Sequence, residues 1–422
     1  MVGVMPLKIG RGAGAPPFMV MDVIAAANAR AAALPPGAAR VIRMEVGQPG
    51  TGAPAGALEA AAAALRSGDS LGYTEAFGRR SLRQCIVAHY RDWYGLDVPL
   101  ERVAVTVGAS GAFPLAFLAA FDPGDRVALA APFYPPYVNI LTALGMQPVI
   151  LEAGPETRFQ PSVALLESLS PPPDGLIVAS PSNPAGTMLH PEELAAIADW
   201  CGAHGVRLIS DEIYHGLHYE SAIATAAAFS GGAVVVNSFS KQFPDERRPE
   251  NGRQIATATA VNSNAIVIGS FSKYFSMTGW RIGWMILPGD LVRPVERLAQ
   301  NLFISAPHIS QIAAEAAFDC HQELQANVAR YRRSRDYLLR ALPEAGFTRL
   351  SPAQGAFYLF ADIADRSNDS VEFCNRMLAE LGVAATPGVD FDHARGSRFV
   401  RFSYCGPEAD MREAAERLRT WR

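Results

Sequence analysis

Apolar runs of strand length alternate with longer helical patterns up to about residue 306, and this alternation is what most constrains the fold. The strand candidates are residues 103–107, 126–130, 175–178, 206–210 and 265–268. Helix candidates lie between them, at residues 111–121, 137–144 and 191–204. Fully apolar strands separated by helices are typical of a parallel sheet that is covered on both faces. The sequence therefore predicts an α/β domain with a mostly parallel central sheet and flanking helices.

The pattern changes after residue 306. Long helical stretches at 309–342 precede a shorter group of strands around 357–360 and 399–404, which indicates a smaller α+β domain. A chain of 422 residues is long enough for two such units. We therefore predict an N-terminal arm at 1–45 that contributes to the small domain, a large domain at 46–305 and a small C-terminal domain at 306–422.

Composition and charge argue against several classes of protein. With 18% charged residues and a net charge of −4, the chain shows no basic face for nucleic acid or a membrane surface. The uncharged run 103–121 contains Gly108, Gly111 and Pro114, which favours a strand, a turn and a helix over a membrane span. Five cysteines without a CxxC pair fit a reducing compartment and give no metal site. The N-terminus is a poor signal peptide, so we expect a cytoplasmic protein.

A tandem duplication occupies residues from about 222 to 275. The segment 222–243 (AIATAAAFSGGAVVVNSFSKQF) is echoed by 254–275 (QIATATAVNSNAIVIGSFSKYF), each position recurring 32 residues later. Two copies are too few for a stacked repeat architecture. Only one copy can fill a given position in a packed sheet. We expect Ala265–Ser270 to fill it, and the chain from about 231 to 262 to form an excursion at the surface.

A lysine follows the last predicted strand, in the segment 270–283 (SFSKYFSMTGWRIG). An isolated lysine at the end of a strand usually lies at the surface. Here Arg281 follows Lys273 in a turn between Gly279 and Gly283, and hydroxyl residues surround both. A desolvated lysine near other cations forms Schiff bases with aldehydes. The segment therefore predicts a site for an anionic ligand that the lysine can attack.

Three further segments follow strands at the expected edge of the sheet. Asp211, in SDEIY, could hold the proton of a pyridine ring, although a helix-capping role is equally plausible. Asn183, in SPSNPAGT, could donate to a phenolic oxygen, with an ordinary turn as the equal alternative. The turn VGASG at 107–111 opens a helix whose N–H groups suit a phosphate, although such turns are common.

In order and spacing, these segments resemble the class I aminotransferases, which are pyridoxal-phosphate (PLP) enzymes of fold type I. The most specific matches are SFSKYFSMTGWRIGW, SDEIYHG, SPSNPAGT and FVRFSY at 399–404, and the resemblance covers nearly the whole chain. It implies that the domain at 46–305 binds PLP. It also implies a ping-pong transfer of an amino group from an L-amino acid to a 2-oxo acid, by a homodimer with composite active sites.

The resemblance also implies roles for individual residues. Lys273 would form the aldimine with PLP and shuttle the proton of the substrate Cα. Asp211 would pair with the ring nitrogen, while Asn183 and Tyr214 would hold the ring oxygen. The remaining contacts would be made by Ala109, Ser110, Ser270, Arg281 and, from the neighbouring subunit, Tyr73 with the phosphate, by Tyr134 with the ring face, and by Gly47, Asn183 and Arg401 with the substrate.

Several alternatives stay open on the sequence. A β-lyase of the same fold would share the cofactor motifs, and the duplication could leave a catalytically impaired copy. A regulatory protein would need a DNA-binding module, for which the roughly forty residues before Glu45 are too few. Lys241 offers a second SFSK, but no TGWRIGW turn follows it, so Lys273 is the predicted lysine. Aspartate, aromatic and branched amino acids all remain possible donors.

Overall fold

The computed structural model of the protein describes residues 7–220, 223–228 and 264–421. Its strands, numbered along the chain, are β1 (Ile42–Arg43), β2 (Val103–Thr106), β3 (Arg126–Ala131), β4 (Gln147–Glu152), β5 (Gly175–Ala179), β6 (Arg207–Asp211), β7 (Ala265–Ser270), β8 (Gly283–Ile286), β9 (Arg349–Leu350), β10 (Tyr358–Asp362), β11 (Val383–Ala384), β12 (Thr386–Pro387) and β13 (Phe399–Ser403). Its α-helices are α1 (Met19–Ala32), α2 (Ala55–Arg66), α3 (Arg80–Tyr94), α4 (Gly108–Ala120), α5 (Pro136–Ala143), α6 (Val163–Glu167), α7 (Pro191–His204), α8 (Val292–Leu302), α9 (His308–Ala317), α10 (His321–Glu344), α11 (Ser370–Arg376) and α12 (Glu408–Arg419).

Seven strands form the central sheet, in the order β2-β8-β7-β6-β5-β3-β4. Strands β3 to β7 pair in parallel, whereas β8 runs antiparallel to both β2 and β7. Every residue of β2, β7 and β8 is buried, as expected for strands that helices cover on both faces. The prediction of an α/β domain with a mostly parallel sheet is confirmed.

The carboxyl ends of β5, β6 and β7 meet at one edge of this sheet. Ala179 pairs with Asp211, and Asp211 pairs with Ile268 on the next strand. The loop after β5 carries Asn183, and the loop after β7 carries Lys273. Ligands of open α/β sheets bind outside the carboxyl ends of the strands. The topology therefore brings the residues of three separate segments to one place.

A second, antiparallel sheet in the order β12-β13-β10-β9 lies in the C-terminal part of the chain. The N-terminal arm contacts this part, since β1 pairs in parallel with β11, and Ala27 and Val41 share a buried cluster with Leu378 and Ala384. The contribution of the arm to a small domain stays a prediction. The domain boundaries themselves stay a prediction.

The long helical stretches expected at 309–342 are confirmed as the two helices α9 and α10. The chain turns between them around Phe318, whose ring packs against Phe271 and Phe275 at centroid distances of 5.3 and 5.2 Å. The partly buried ring of Phe318 thus packs against the loop that carries Lys273. None of the helices in the described ranges combines the length and hydrophobicity that a membrane span requires.

Strand β7 comes from the second copy of the duplication, which confirms the prediction for Ala265–Ser270. The buried segment 223–228 comes from the first copy, and there the Ala226 N–H donates to Glu212 Oε1 at 2.8 Å. Within the described residues, the fold therefore contains the beginning of the first copy and the strand of the second copy. The excursion predicted at 231–262 lies outside the described residues.

Gly269 gives a physical reason why the second copy fits this position in the sheet. It lies opposite Trp284 of β8, and a Cβ atom at Gly269 would overlap the Trp284 ring. That ring is held in place, because its Nε1 donates to the Tyr90 hydroxyl at 3.3 Å and its face meets the edge of Phe271. The first copy has Asn237 at the equivalent position, and its side chain would have to displace the tryptophan.

We therefore predict that Gly269→Asn, which introduces the residue of the first copy, destabilises the protein by about 1–3 kcal/mol through overpacking. Urea unfolding of the purified protein measures this loss. Gly289→Asn is the matched control, because a Cβ at Gly289 meets nothing within 4 Å. Equal stability of the two variants would contradict the steric explanation.

Candidate active site

A cavity of about 360 Å³ opens at the carboxyl edge of the sheet. Its size is typical of pockets that bind small molecules. Of the twelve residues that the sequence predicts for the site, eleven line this cavity: Gly47, Ala109, Ser110, Tyr134, Asn183, Asp211, Tyr214, Ser270, Lys273, Arg281 and Arg401. The twelfth, Tyr73, lies elsewhere. Residues separated by more than half of the chain thus converge on one space.

Lys273 lies in the turn after β7, with its amine inside the cavity. Its Nζ donates to the carbonyl oxygen of Gly47 at 2.6 Å. Burial, together with the positive charges of Arg401 and Arg281, lowers the pKa of this amine to about 8. A small fraction of the amine is therefore unprotonated at neutral pH, and this is the form that attacks a carbonyl carbon.

Asp211 ends β6 and is a buried residue that lines the same cavity. Its Oδ2 accepts a hydrogen bond from the Tyr137 hydroxyl, and its Oδ1 accepts one from the Ile213 N–H at 3.1 Å. Burial raises the pKa of Asp211 to about 6, although both hydrogen bonds act in the opposite direction. A cation that enters the cavity beside this carboxyl group would stabilise its ionised form.

The N-terminus of α4 and Arg281 together form an anion-binding corner. Helix α4 begins at Gly108, whose φ of +64° favours glycine, and a Cβ there would lie 2.7 Å from Arg281 Nη2. The Arg281 guanidinium donates to Ser110 Oγ at 3.2 Å and to the Thr278 carbonyl oxygen at 2.8 Å. Free N–H groups at the start of a helix, beside an arginine, suit a phosphate.

Arg401, on β13, brings a second guanidinium into the cavity from the C-terminal sheet. It is buried, and its Nη1 donates to Asn183 Oδ1 at 2.8 Å while Nη2 donates to Thr386 Oγ1 at 3.1 Å and to the Glu45 carbonyl oxygen. Its Nε has no hydrogen-bond partner among the described residues. Within those ranges Arg401 also forms no ion pair, so a carboxylate ligand would supply the missing negative charge.

Two tyrosines that the sequence did not indicate, Tyr358 and Tyr137, form hydrogen bonds with predicted residues of the site. The hydroxyl of Tyr214 lies 2.8 Å from that of Tyr358 on β10, and burial raises the pKa of Tyr214 well above its ordinary value. Tyr137, whose hydroxyl donates to Asp211, lies in the first turn of α5, three residues after the predicted Tyr134. This closeness in the sequence is a signal that could have drawn attention to it. Tyr358 has no comparable signal, because its contact depends on how two sheets pack.

The N-terminal arm contributes an apolar wall that the sequence also did not indicate. Phe18, Val20, Met21 and Ile24, at the start of α1, line the cavity. The wall is fixed by Asp390, whose carboxylate accepts hydrogen bonds from the N–H groups of residues 19 and 20 at 3.0 and 3.3 Å. Nothing in the local sequence places this helix beside Lys273.

Tyr73 does not enter the cavity of its own chain. Its side chain is 83% exposed, in a segment at 68–79 that contains neither helix nor strand. The contact of Tyr73 with a neighbouring subunit stays a prediction.

Comparison with known proteins identifies the family. Residues 39–244 and 250–418 match the family described as aminotransferase class I and II. The chain belongs to this family and is an aminotransferase. Enzymes of this family depend in general on pyridoxal phosphate.

Individual relatives support the same conclusion. The chain is 46% identical to the valine–pyruvate aminotransferase of Mycobacterium tuberculosis over 418 residues, which cover 98% of each chain. It is 32% identical to the (5-formylfuran-3-yl)methyl phosphate transaminase of Methanocaldococcus jannaschii, over 95% of this chain and 96% of the relative. A crystal structure of an aminotransferase from Mycobacterium tuberculosis is similar over 99% of both chains, with a TM-score of 0.86 and 45% identity.

The raised pKa of Asp211 predicts how the stability of the cofactor-free protein depends on pH. Between about pH 4 and pH 6 the folded chain keeps a proton that the unfolded chain has lost, so the free energy of unfolding falls as the pH rises. At about 1.4 kcal/mol per pKa unit, the contribution of Asp211 is about 3 kcal/mol at most. Urea unfolding between pH 4 and pH 7 should show a shallower slope for Asp211→Asn than for the wild type.

Two points make this measurement specific to Asp211. Burial also raises the pKa of Glu212, to about 7, so part of the slope remains in the variant. Asp199→Asn, which changes an exposed aspartate of α7, is the matched control. An unaltered slope in Asp211→Asn would mean that this carboxyl group is not kept protonated by burial.

Proposed function

We propose that this aminotransferase moves the amino group of an apolar L-amino acid to a 2-oxo acid, with pyridoxal phosphate held between Lys273 and Asp211. The observation that carries the proposal is a buried lysine with a lowered pKa, in a cavity that also contains Arg281, Arg401 and a buried acid. Such a set can hold a phosphate, a substrate carboxylate and an aldehyde carbon at the same time.

The anion-binding corner fits the phosphate of this cofactor. The N–H groups at Ala109 and Ser110, with the hydroxyl of Ser270 and the guanidinium of Arg281, would hold its oxygens. The close fit between Gly108 and Arg281 supports this assignment, because it brings the arginine to the first turn of the helix.

The chemistry of the remaining donors fits the ring. Asp211 would keep the ring nitrogen protonated, and Tyr134 would cover one ring face. Asn183 has its Oδ1 occupied by Arg401, which leaves its Nδ2 free to donate to the ring oxygen together with the Tyr214 hydroxyl.

When bound, the cofactor supplies an electron-withdrawing ring that stabilises negative charge at the substrate Cα. The chain supplies orientation and proton transfer. Arg401, whose Nε has no partner among the described residues, would hold the substrate carboxylate beside the carbonyl oxygen of Gly47. Lys273 Nζ, unprotonated in part at neutral pH because it is buried, would take the proton from Cα and deliver it to C4′ of the cofactor within the same half-reaction. In the second half of the ping-pong cycle it would carry a proton in the opposite direction, from C4′ to Cα.

The choice of lysine gives the first test. With added pyridoxal phosphate, wild-type protein and Lys241→Ala should show the visible absorbance of a lysine-bound cofactor, and amino acids should bleach it. Lys273→Ala should not show it. Loss of the band in Lys241→Ala alone would assign the site to the first copy, and absence from all three proteins would mean that the duplication abolishes activity. A new amino acid, rather than free ammonia, among the products separates amino transfer from β-elimination.

The donor is proposed from the wall that α1 contributes. Phe18, Val20 and Ile24 present hydrocarbon where a substrate side chain would lie, and no lysine or arginine other than the three described above lines the cavity in the described part of the chain. A relative that is 46% identical is named for valine and pyruvate. Both observations support valine or a similar branched amino acid as the donor, and pyruvate as an acceptor.

Shortening this wall should alter the choice of donor. Ile24→Ala removes hydrocarbon from the cavity, and we expect kcat/KM for valine to fall about tenfold while that for alanine changes little. Steady-state kinetics with both donors measures the ratio. Asp22→Asn, on an exposed position of the same helix, should leave the ratio as in the wild type. A preference for aspartate over valine in the wild-type enzyme would contradict the proposed donor class.

The active unit is proposed to be a homodimer in which Tyr73 reaches the phosphate site of the neighbouring subunit. The exposure of Tyr73 supports this arrangement. We also propose that the enzyme acts in the cytoplasm, which its five unpaired cysteines support.

A further inference from the structure

One face of helix α9 holds the segment that presents Tyr73. His308, Gln311 and Glu315 follow one another at intervals of three and four residues, so they share a face of the helix. All three form hydrogen bonds with residues between 72 and 81. We call this group the α9 clamp.

Gln311 is the centre of the α9 clamp. It is fully buried, and both the nitrogen and the oxygen of its side-chain amide form hydrogen bonds. Nε2 donates to Thr74 Oγ1 at 3.1 Å and to the Ala306 carbonyl oxygen at 2.9 Å. Its Oε1 accepts from the Arg79 N–H at 2.7 Å. A buried amide that is satisfied in this way fixes the backbone around it, since breaking any of these bonds leaves a polar group unpaired.

The two outer members of the clamp hold the ends of the segment. His308 Nδ1 lies 2.9 Å from the Gly72 carbonyl oxygen, and its Nε2 lies 2.8 Å from Arg79 Nη1. The carbonyl oxygen only accepts and the guanidinium only donates, so Nδ1 carries the proton and Nε2 accepts. Glu315 accepts from Arg79 Nε at 2.7 Å and from the Ser81 hydroxyl at 2.6 Å.

The residues on both sides of Tyr73 are therefore tied to the clamp, while Tyr73 itself is not. Gly72 binds His308, and Thr74 binds Gln311, but the tyrosine between them is 83% exposed. A segment without helix or strand would otherwise sample many conformations, and holding a large exposed aromatic ring would be entropically costly. The contacts fix the direction in which the ring projects.

We infer that Gln311 is a positioning residue for Tyr73, and that it thereby acts on cofactor binding in the other subunit of the dimer rather than in its own. The inference rests on the proposed composite site. Because an unclamped Tyr73 must be ordered each time it contacts the phosphate, loss of the clamp weakens cofactor retention without altering any residue that lines the cavity.

Hybrid dimers separate an effect in the same subunit from an effect in the other. Chains with two different affinity tags are co-expressed, and the doubly tagged dimer is purified. In the first arrangement, Lys273→Ala is on one chain and Gln311→Leu is on the other. In the second, both substitutions are on one chain and the other chain is wild type. Each dimer then has one lysine-bearing site, and the two differ only in which chain lacks Gln311.

The measurement is the rate at which pyridoxal phosphate leaves the lysine-bearing site, followed by loss of its visible absorbance in the presence of an excess of a cofactor scavenger. We expect release to be about tenfold faster than in a Lys273→Ala/wild-type dimer in the second arrangement only, which corresponds to the loss of about one hydrogen bond. Faster release in the first arrangement only, or equally in both, would overturn the inference, because Gln311 would then act within its own subunit or on the fold in general.

A reference series with Tyr73→Phe in place of Gln311→Leu distinguishes failure of the inference from failure of the proposed composite site. If Tyr73→Phe shows no dependence on the arrangement, Tyr73 does not act across the interface and the composite site is wrong. If Tyr73→Phe acts across subunits and Gln311→Leu does not, only the role of Gln311 is wrong.

Thr74→Val keeps the experiment decisive if Gln311→Leu does not fold. It removes the oxygen that accepts from Gln311 Nε2, and it does so on a partly exposed residue of nearly the same volume. The same dependence on arrangement is expected, with a smaller change in the release rate. Identical release in both arrangements for this variant, with Tyr73→Phe acting across subunits, would overturn the inference.

Discussion

The pairing of β6 with β7 is the constraint on which the site depends. Its register sets Asp211 beside Ile268, so that the acid at the end of one strand and the lysine after the next reach the same cavity. In a sheet, a slip of one residue turns every side chain to the opposite face. A slip here would bury neither the acid nor the amine in the cavity, and the anion-binding corner would have no lysine opposite it.

Burial in this cavity shifts two pKa values in opposite directions. The same removal from water lowers the pKa of Lys273 and raises that of Asp211, because it disfavours the charged form of each. Both shifts bring the pKa value closer to neutral pH, where each group can exchange a proton. Arg281 and Arg401 add positive charge to this space and have no ion-pair partner within the described residues, so the cavity is suited to ligands with more than one negative group.

The sequence predicted the parts of the site that follow strands directly. Lys273, Asp211 and Asn183 each lie within a few residues of the carboxyl end of a parallel strand, so a local pattern is sufficient to place them. The wall of α1 and the contact of Tyr358 with Tyr214 escaped prediction because they arise from packing between elements far apart in the chain. The helical pattern over 309–342 did not locate the turn between α9 and α10, because such a pattern does not show where one helix ends and the next begins.

The glycine in β7 has a consequence for how the chain acquires its structure. Synthesis proceeds from the N-terminus, so the strand-like stretch of the first copy leaves the ribosome before the strand that occupies the sheet. The order of synthesis therefore favours pairing by the first copy. Packing favours the second copy, because Gly269 fits opposite the ring of Trp284 and an asparagine such as Asn237 does not. The choice between two nearly identical stretches is settled by the stability of the finished sheet, which requires that any earlier pairing be reversible.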